Sequence, residues 1–211
     1  MPSSSRRGPG RPPAAKSAET RARILSAARE VFSELGYDAA TFQEIAVRSD
    51  LTRPAINHYF STKTHLYREV VAAAHQMVIA GGYAQARRAT GFADRVEAFI
   101  GVALAAAEHD RSMAACLLNS VLECQRHPEL RQDDHDLLHT VRDFAGWALR
   151  DGVAQGELRA DLDLGVTTEL LVAMLCGLGF YAGFIGEPER LPRVVSDFID
   201  MVRRNASDPA K

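Results

Sequence analysis

The segment from Thr41 to Lys63 constrains the fold of this chain most, because it predicts two short helices joined by a tight turn. Thr41 and Glu44 have the T-x-x-E spacing of a capping box, which satisfies two backbone N–H groups at a helix start. Thr52 is placed to cap a second helix, and Pro54 falls in its first turn, where the missing N–H costs nothing. These residues predict a helix, a turn and a second helix.

The two helices have distinct buried and outward faces. Phe42, Ile45 and Ala46 share one side of the first helix, and Ile56 and Phe60 lie four residues apart on the second. The turn needs a left-handed residue, a conformation that Asp at position 50 tolerates. The outward residues of the second helix, which can reach base edges or phosphates, are Arg53, Pro54, Asn57 and His58. A helical hairpin with a merely solvated polar side has the same pattern, so the segment alone leaves both interpretations open.

Amphipathic helices flank this segment. The upstream helix starts near Thr20 and ends at Gly36, a residue type common just after a helix end. A further helix begins at Lys63. The order of a capped helix, Gly-Tyr, T-F-Q-E-I-A, L-T-R-P-A-I-N-H-Y-F and S-T-K-T-H-L resembles the N-terminal domain of the TetR family of transcriptional repressors, from Thr20 to Leu66.

The resemblance implies roles for the positions that match. The second helix would enter the major groove of DNA. Residues facing the bases would be Arg53, Pro54 and Asn57, with Gln43 at the edge of these contacts. Residues holding phosphates would be Thr41, Thr52, Tyr59 and Lys63. Asp50, Ala55 and Asn57 stand where Gly, Thr and Tyr are usual, so the docking mode transfers and the base preferences do not.

The first sixteen residues are rich in Pro, Gly, Ser and cations. Such a segment cannot bury a core, so residues 1–16 are predicted to be a disordered basic tail before a DNA-binding domain at 17–66. Arg6, Arg7 and Arg11 would add attraction to phosphates. Gly10-Arg11-Pro12 also resembles the centre of an AT-hook, which places Arg in an A·T-rich minor groove, although a solvated tail or an expression remnant fits equally well.

Charge is divided along the chain. Residues 1–68 hold 11 Lys/Arg and 6 Asp/Glu, whereas residues 69–211 hold 14 and 21, for a formal net charge of −2. The average therefore conceals a positive end, and a phosphate backbone would meet the local field rather than the average.

Beyond Lys63 the apolar periodicity is helical, which predicts an all-α chain. Helices are expected near 63–80, 93–108, 111–126, 133–154, 164–185 and 189–204, with breaks that include Gly81-Gly82, Gly91, Pro128 and Gly156. The resemblance implies that residues 67–211 form a helical domain that binds a small-molecule effector and dimerises.

Large apolar side chains in this second domain are numerous enough to line a cavity for a hydrophobic effector, although each is also a reasonable core residue. The candidate ligand contacts are Phe99, Leu118, Leu122, Trp147, Phe180, Tyr181 and Phe184. Gly179 and Gly183, four apart, predict a close approach of another helix. The resemblance implies that the last two helices of two copies form a homodimer interface, and packing within one chain is the alternative.

The compartment is predicted to be the cytoplasm. No uncharged apolar run reaches the roughly 20 residues of a membrane span, and no apolar stretch follows the N-terminal arginines as it would in a signal peptide. Three cysteines without a close pair indicate reduced thiols. No membrane contact is expected.

Neither a cofactor nor a metal site is expected. His135 and His139 lie four apart, and Cys124 and His127 three apart, but no H-E-x-x-H, C-x-x-C pair or Gly-rich phosphate loop accompanies them. Asp133, Asp134 and Asp136 fit a solvated helix N-terminus, where acids complement the helix dipole.

These observations predict a homodimeric, all-helical transcriptional regulator rather than an enzyme. It would repress by binding a pseudo-palindromic operator in double-stranded DNA and would be released by a small hydrophobic effector. A metal-dependent helical enzyme and a helical adaptor without DNA binding are the alternatives.

Overall fold

A computed structural model describes residues 13–132, 136–187 and 189–206, and within these ranges the chain is helical without a strand. The helices are α1 (Pro13–Ala39), α2 (Phe42–Arg48), α3 (Arg53–Tyr59), α4 (Lys63–His75), α5 (Gly81–Ala86), α6 (Phe92–His109), α7 (Ser112–Arg126), α8 (Leu137–Ala154), α9 (Leu164–Phe180) and α10 (Leu191–Ala206). π-helical segments follow α4 (Gln76–Ala80) and α9 (Tyr181–Ile185), and a 3-10 turn spans Pro128–Leu130. The predicted all-α fold is confirmed.

Some predicted features lie outside the described residues. These are Arg6, Arg7, Arg11, the Gly10-Arg11-Pro12 tripeptide, Asp133, Asp134 and His135. Helix α1 begins at Pro13 and so takes in the last residues of the predicted tail at 1–16. Proline has the backbone angle of a first helical residue, and the alanines that follow are strong helix formers. The disorder predicted from composition therefore extended too far, into residues 13–16.

Helices α1–α3, called the head below, pack around one apolar core. Ile24, Ala28 and Ile45 are fully buried in it, together with Ile56 and Phe60 of the second short helix. These residues are the apolar faces that the sequence predicts. Burying them fixes the three helices against one another, since each exposes a polar side to water.

The predicted turn chemistry is confirmed in detail. The Thr41 hydroxyl accepts from the Glu44 N–H at 3.2 Å, while the Glu44 carboxylate accepts from the Thr41 N–H at 2.9 Å. Asp50 has the left-handed φ of 51°. Thr52 caps α3, and Gly36, at φ 77°, interrupts α1 where its helical end is predicted.

The predicted break at Gly81-Gly82 was wrong. The chain remains helical from α4 through the π segment to Ala86. A Cβ atom on Gly82 would lie 2.9 Å from the backbone oxygen of Phe99. Gly82 therefore allows α5 to pack closely on α6. The chain turns after Ala86, and Gly91, whose φ is 87°, precedes α6.

The close approach predicted at Gly179 and Gly183 occurs within the chain. A Cβ atom on Gly183 would lie 2.9 Å from the Ala115 backbone nitrogen, and one on Gly179 would contact the Leu118 side chain at 3.6 Å. Both glycines thus pack against α7. The same holds for one face of α10, which packs on α6 through buried Leu191, Val195, Ile199 and Val202.

The glycines of α5 and α6 give a paired test of this packing. Gly82→Ala should lower the free energy of unfolding by about 1 to 3 kcal/mol, because the new methyl group overpacks against Phe99. Gly101→Ala should raise it by up to about 1 kcal/mol, because a Cβ there meets nothing within 4 Å and alanine favours the helix. Urea unfolding measures both, and equal effects would contradict the proposed role of Gly82.

Candidate nucleic-acid interface and cavities

The outward face of α3 carries the residues predicted for it. Arg53, Pro54, Asn57 and His58 are all exposed, and they lie on the side of the helix opposite the buried Ile56. This gives one polar surface with a guanidinium, an amide and an imidazole. Such groups can hydrogen-bond to base edges in the major groove, so the surface has the chemistry of a recognition helix.

Three further candidates surround that face. Thr52 is exposed, and its oxygen accepts from the Ala55 N–H at 3.3 Å, which leaves the hydroxyl proton for a phosphate oxygen. Tyr59 is half-buried, with its ring edge-on to His58 at 5.4 Å. Gln43 is exposed in the first turn of α2. The Thr41 hydroxyl, by contrast, donates within its own capping box to the Glu44 carboxylate at 2.8 Å.

Lys63 has a different environment from the one predicted. Its Nζ donates to the backbone oxygens of Tyr37, Asp38 and Ala40 at 2.7, 3.0 and 3.2 Å. It also lies 4.5 Å from the centre of the Tyr37 ring. An ammonium has three protons, and all three are directed at carbonyls that follow the Gly36 break. In this conformation Lys63 stabilises the end of α1 and has no proton left for a phosphate.

Two arginines that the sequence analysis missed hold the turn in place. Arg23 donates to the backbone oxygens of Ser49 at 2.5 Å and Asp50 at 3.1 Å. Arg48 makes two hydrogen bonds of 2.7 Å to the Glu34 carboxylate, and these bonds hold the pKa of Glu34 below its ordinary value. Only the fold brings these groups together, because each pair lies at least 14 residues apart.

The head is attached to the rest of the chain by α4 and by contacts between α1 and α7. At one end of the α1–α7 contact, the Arg29 guanidinium pairs with the Asp110 carboxylate and donates to the Ser112 hydroxyl at 2.8 Å. Ser33 donates to the Ser112 backbone oxygen at 3.2 Å. Burial alone would raise the pKa of Asp110, but hydrogen bonds from Ser112 and Arg29 outweigh it and lower that pKa.

At the other end, Glu123 is a buried acid at the interface with the head. It is 7% exposed, and its carboxylate accepts from the Tyr37 N–H at 3.2 Å. His127, one turn further on, lies 3.1 Å from the Asp38 carboxylate and 5.0 Å from the Tyr37 ring centre. From the sequence, His127 was only a weak candidate metal ligand. A stripe of polar and small residues on α7 carried the missed signal: Cys116, Ser120, Glu123 and His127.

An apolar cavity of about 90 Å³ lies among the remaining helices, next to α7 on the side away from α1. Its walls come from the π segment after α4 and from α6 to α10. The lining residues include Val78, Ile79, Phe99, Ile100, Ala103, Leu104, Ala114, Leu117, Leu118, Leu137, Val141, Leu175, Cys176 and Leu178. No charged side chain belongs to this wall, so it would favour a hydrocarbon surface.

A second, polar cavity of about 360 Å³ lies between α4, α7 and the start of α8. Its polar lining comes from Tyr67, Ser120, Cys124, Gln125, Arg131, Gln132 and Asp136. The apolar side of the lining comes from Val71, Val121, Leu130, Leu137 and Leu138. The two cavities differ in chemistry, and Leu137 is in the wall of both.

Only two of the seven predicted ligand contacts lie in the wall of the apolar cavity. Phe99 and Leu118 line the apolar cavity, but the other five candidates do not. Leu122, Phe180 and Phe184 are 53%, 50% and 39% exposed. Trp147 packs on Tyr83 and the Arg95 guanidinium, and Tyr181 packs on Gly186. Size and apolarity selected these residues, whereas only helix orientation decides which of them face the cavity.

Helix α9 and the π segment that follows it present an apolar face to solvent. Val166, Leu170, Phe180 and Ile185 are 68%, 56%, 50% and 64% exposed. By length and composition the segment Leu164–Ile185 would also cross a bilayer, which a search for uncharged runs misses because it contains Glu169. A single such helix is not evidence of a span. An exposed stripe of this kind in a helical protein marks an interaction surface.

Among the described residues, no group of three or more His, Cys, Asp or Glu side chains could hold a metal ion. His139 lies 3.2 Å from Asp143. Burial raises the pKa of Cys116 to about 12, so this thiol is protonated at neutral pH and packs in the apolar core rather than acting as a thiolate ligand.

Comparison with known proteins finds two family matches, one over the head and one over the helices that follow it. Residues 24–70 match the family described as bacterial regulatory proteins, tetR family, and residues 93–198, half of the chain, match the tetracyclin repressor-like C-terminal domain. The HTH-type transcriptional regulator UidR of Escherichia coli (strain K12) is 25% identical over 161 residues, which are 75% of this chain and 79% of that protein.

Solved structures share the fold. The TetR family transcriptional regulator PfmR of Thermus thermophilus has a TM-score of 0.71 and 23% identity, over 86% of this chain and 97% of that chain. The ketosteroid transcriptional regulator KstR2 of Mycobacterium tuberculosis has a TM-score of 0.72 and 17% identity, over 87% and 93%. None of these matches points to a metal-dependent enzyme.

The different environments of Asn57 and Lys63 predict different effects. Asn57→Ala should leave the melting temperature unchanged and relax the preference at one base pair, costing about 1 to 3 kcal/mol on the best duplex. Lys63→Ala should lower the melting temperature, since three carbonyls lose their donor. Thermal unfolding and binding to duplexes selected from a random pool measure both. A Lys63→Ala protein with wild-type stability and a salt slope reduced by about one would instead identify a phosphate ligand.

Proposed function

The chain belongs to the TetR family of bacterial regulatory proteins, and from this premise we propose that it is a homodimeric repressor released from its operator by a small hydrophobic molecule. It is a helix-turn-helix transcriptional regulator. The observation that carries the proposal is the exposed polar face of α3, held by Thr52 at its start and by Ile56 and Phe60 in the head core. The compartment would be the cytoplasm, where such a regulator meets DNA.

The exposed stripe of α9 supports the dimer. Val166, Leu170 and Phe180 present an apolar surface that water does not favour, so a second copy would bury it. Phe184, tilted against Phe180 with ring centres 5.1 Å apart, extends the stripe. The proposed interface uses α9 chiefly, with the side of α10 that does not pack on α6. A two-fold dimer imposes a pseudo-palindromic operator with half-sites about one helical turn apart, or a multiple of it.

The apolar cavity supports a hydrophobic effector. At about 90 Å³ it is smaller than the roughly 300 to 1,000 Å³ of sites for drug-sized ligands. An effector of that size could enter only if the walls move, and α7 is one of these walls. Because the other side of α7 holds α1, the movement would strain the contacts that orient the head. The effector would thereby shift the population away from the conformation in which the distance between the two heads of the dimer fits DNA.

Selection of bound duplexes from a random pool tests the function directly. The expected result is an enriched site with two-fold symmetry. If no duplex is enriched over the input, the helical adaptor without DNA binding becomes the better interpretation.

The dimer surface gives a matched pair of variants. Leu170→Glu should convert the protein to a monomer, because a carboxylate would be buried in an apolar interface, and should lower affinity for the full operator far more than for a half-site. Leu122→Glu, at a similarly exposed leucine on α7, should leave both properties unchanged. Sedimentation analysis gives the oligomeric state. A dimeric Leu170→Glu protein would place the interface elsewhere.

The apolar cavity gives a second matched pair of variants, both on α6. Ala103 lines the cavity and Ala105 is exposed. Hydrophobic compounds that raise the melting temperature of the wild type should also release its DNA, since the two equilibria are linked. Ala103→Leu, which fills the cavity, should abolish both effects, and Ala105→Leu should retain them. Compounds that raise the melting temperature but leave operator affinity unchanged would refute the proposed release.

A further inference from the structure

We propose that the two cavities form one bipartite effector site, in which the apolar cavity takes a hydrocarbon body and the polar cavity takes a carbonyl or carboxylate head group at the Tyr67 hydroxyl. The inference rests on the effector-binding function proposed above and adds the chemical class of the effector. It would be an amphiphile with a hydrogen-bond acceptor at one end.

The cavities follow one another along three helices. On α4 and its π segment, the polar cavity is lined by Tyr67 and the apolar cavity by Val78. On α7, Ser120 lines the polar cavity and Leu117 lines the apolar cavity. Leu137, at the start of α8, belongs to both walls. The two spaces therefore adjoin at this side chain, and their combined volume is within the range of sites for drug-sized ligands.

The Tyr67 hydroxyl is the group that indicates a ligand. Tyr67 is 3% exposed, and its oxygen is inaccessible to water in this conformation and has no hydrogen-bond partner among the described residues. A ligand atom would reach this oxygen when the ring turns toward the polar cavity that it lines. A buried hydroxyl without a partner destabilises a protein, and an acceptor atom on a ligand would remove that cost. Burial also raises the pKa of Tyr67, so the phenol remains a proton donor at physiological pH.

The rest of the polar wall favours an acceptor rather than a donor. Ser120 donates to the Leu117 backbone oxygen at 2.6 Å, and Asp136 accepts from the His139 N–H at the start of α8 at 3.0 Å. The Ser120 hydroxyl proton and one Asp136 carboxylate oxygen are thus engaged in the helices. Arg131 adds a guanidinium to the same wall, which suits a carbonyl or a carboxylate oxygen.

Only the Tyr67 side chain would separate a ligand head group in this position from α1 of the DNA-binding head. The Tyr67 ring lies edge-on to Phe32 at 5.0 Å and to Tyr37 at 5.2 Å, both on α1. Tyr37 is also the residue whose N–H binds Glu123. An effector that reorients Tyr67 would therefore act on the α1–α7 contact from the polar cavity as well as from the apolar one.

Three probes of equal chain length separate the two halves of the site: octane, octan-2-one and octanoate. The full-length protein and its Tyr67→Phe variant are compared by calorimetric binding and by release of operator DNA. Tyr83→Phe, at a half-buried tyrosine that lines neither cavity, is the matched control. The wild type and the control should bind octan-2-one or octanoate about five- to tenfold more tightly than octane, the contribution of one hydrogen bond.

Tyr67→Phe should lose this head-group preference, keep the affinity for octane, and melt no lower than the wild type, because it no longer buries an unpaired hydroxyl. An unchanged preference in Tyr67→Phe, or no preference in the wild type, would overturn the bipartite site while leaving an apolar effector cavity intact. If none of the three probes binds the wild type, the effector function of the cavity fails and the bipartite site fails with it.

Discussion

The contact between α1 and α7 is the constraint on which the rest of the structure depends. It is polar at both ends, where Arg29 meets Asp110 and where the Tyr37 N–H meets Glu123. Hydrogen bonds and ion pairs of this kind have strict geometry, so they hold the head in one orientation relative to helices α5–α10. Without them α4 would be the main attachment of the head, and a single helix leaves rotation about its axis open.

Helix α7 has a second role because it is packed on both sides. Leu117 and Leu118 face the apolar cavity, Ser120 faces the polar one, and Glu123 holds the head. Packed helices move as units rather than deforming residue by residue. A change in either cavity therefore has a short physical route to the DNA-binding surface, through one rigid element and without contact between effector and operator.

Two glycines outside the head allow helices to pack closely, which differs from the role of glycine in turns. Gly82 allows α5 to approach α6, and Gly183 allows the end of α9 to approach α7. The approach at Gly183 leaves the opposite side of α9, with Leu170 and Phe180, facing outward. The apolar surface proposed for the dimer thus follows from the side of the helix on which its glycines lie.

The sequence by itself determined the local structure of the head, since a capping box such as Thr41 with Glu44 or the left-handed Asp50 depends on residues within one helical turn. It also determined the all-α fold, through apolar periodicity. Tertiary structure alone decided which apolar residues face a cavity, because Phe99 and Phe180 are chemically alike and differ only in helix orientation. It likewise decided the roles of Lys63 and Glu123, whose partners lie 23 to 26 and 86 residues away in the chain, a separation that no local pattern encodes.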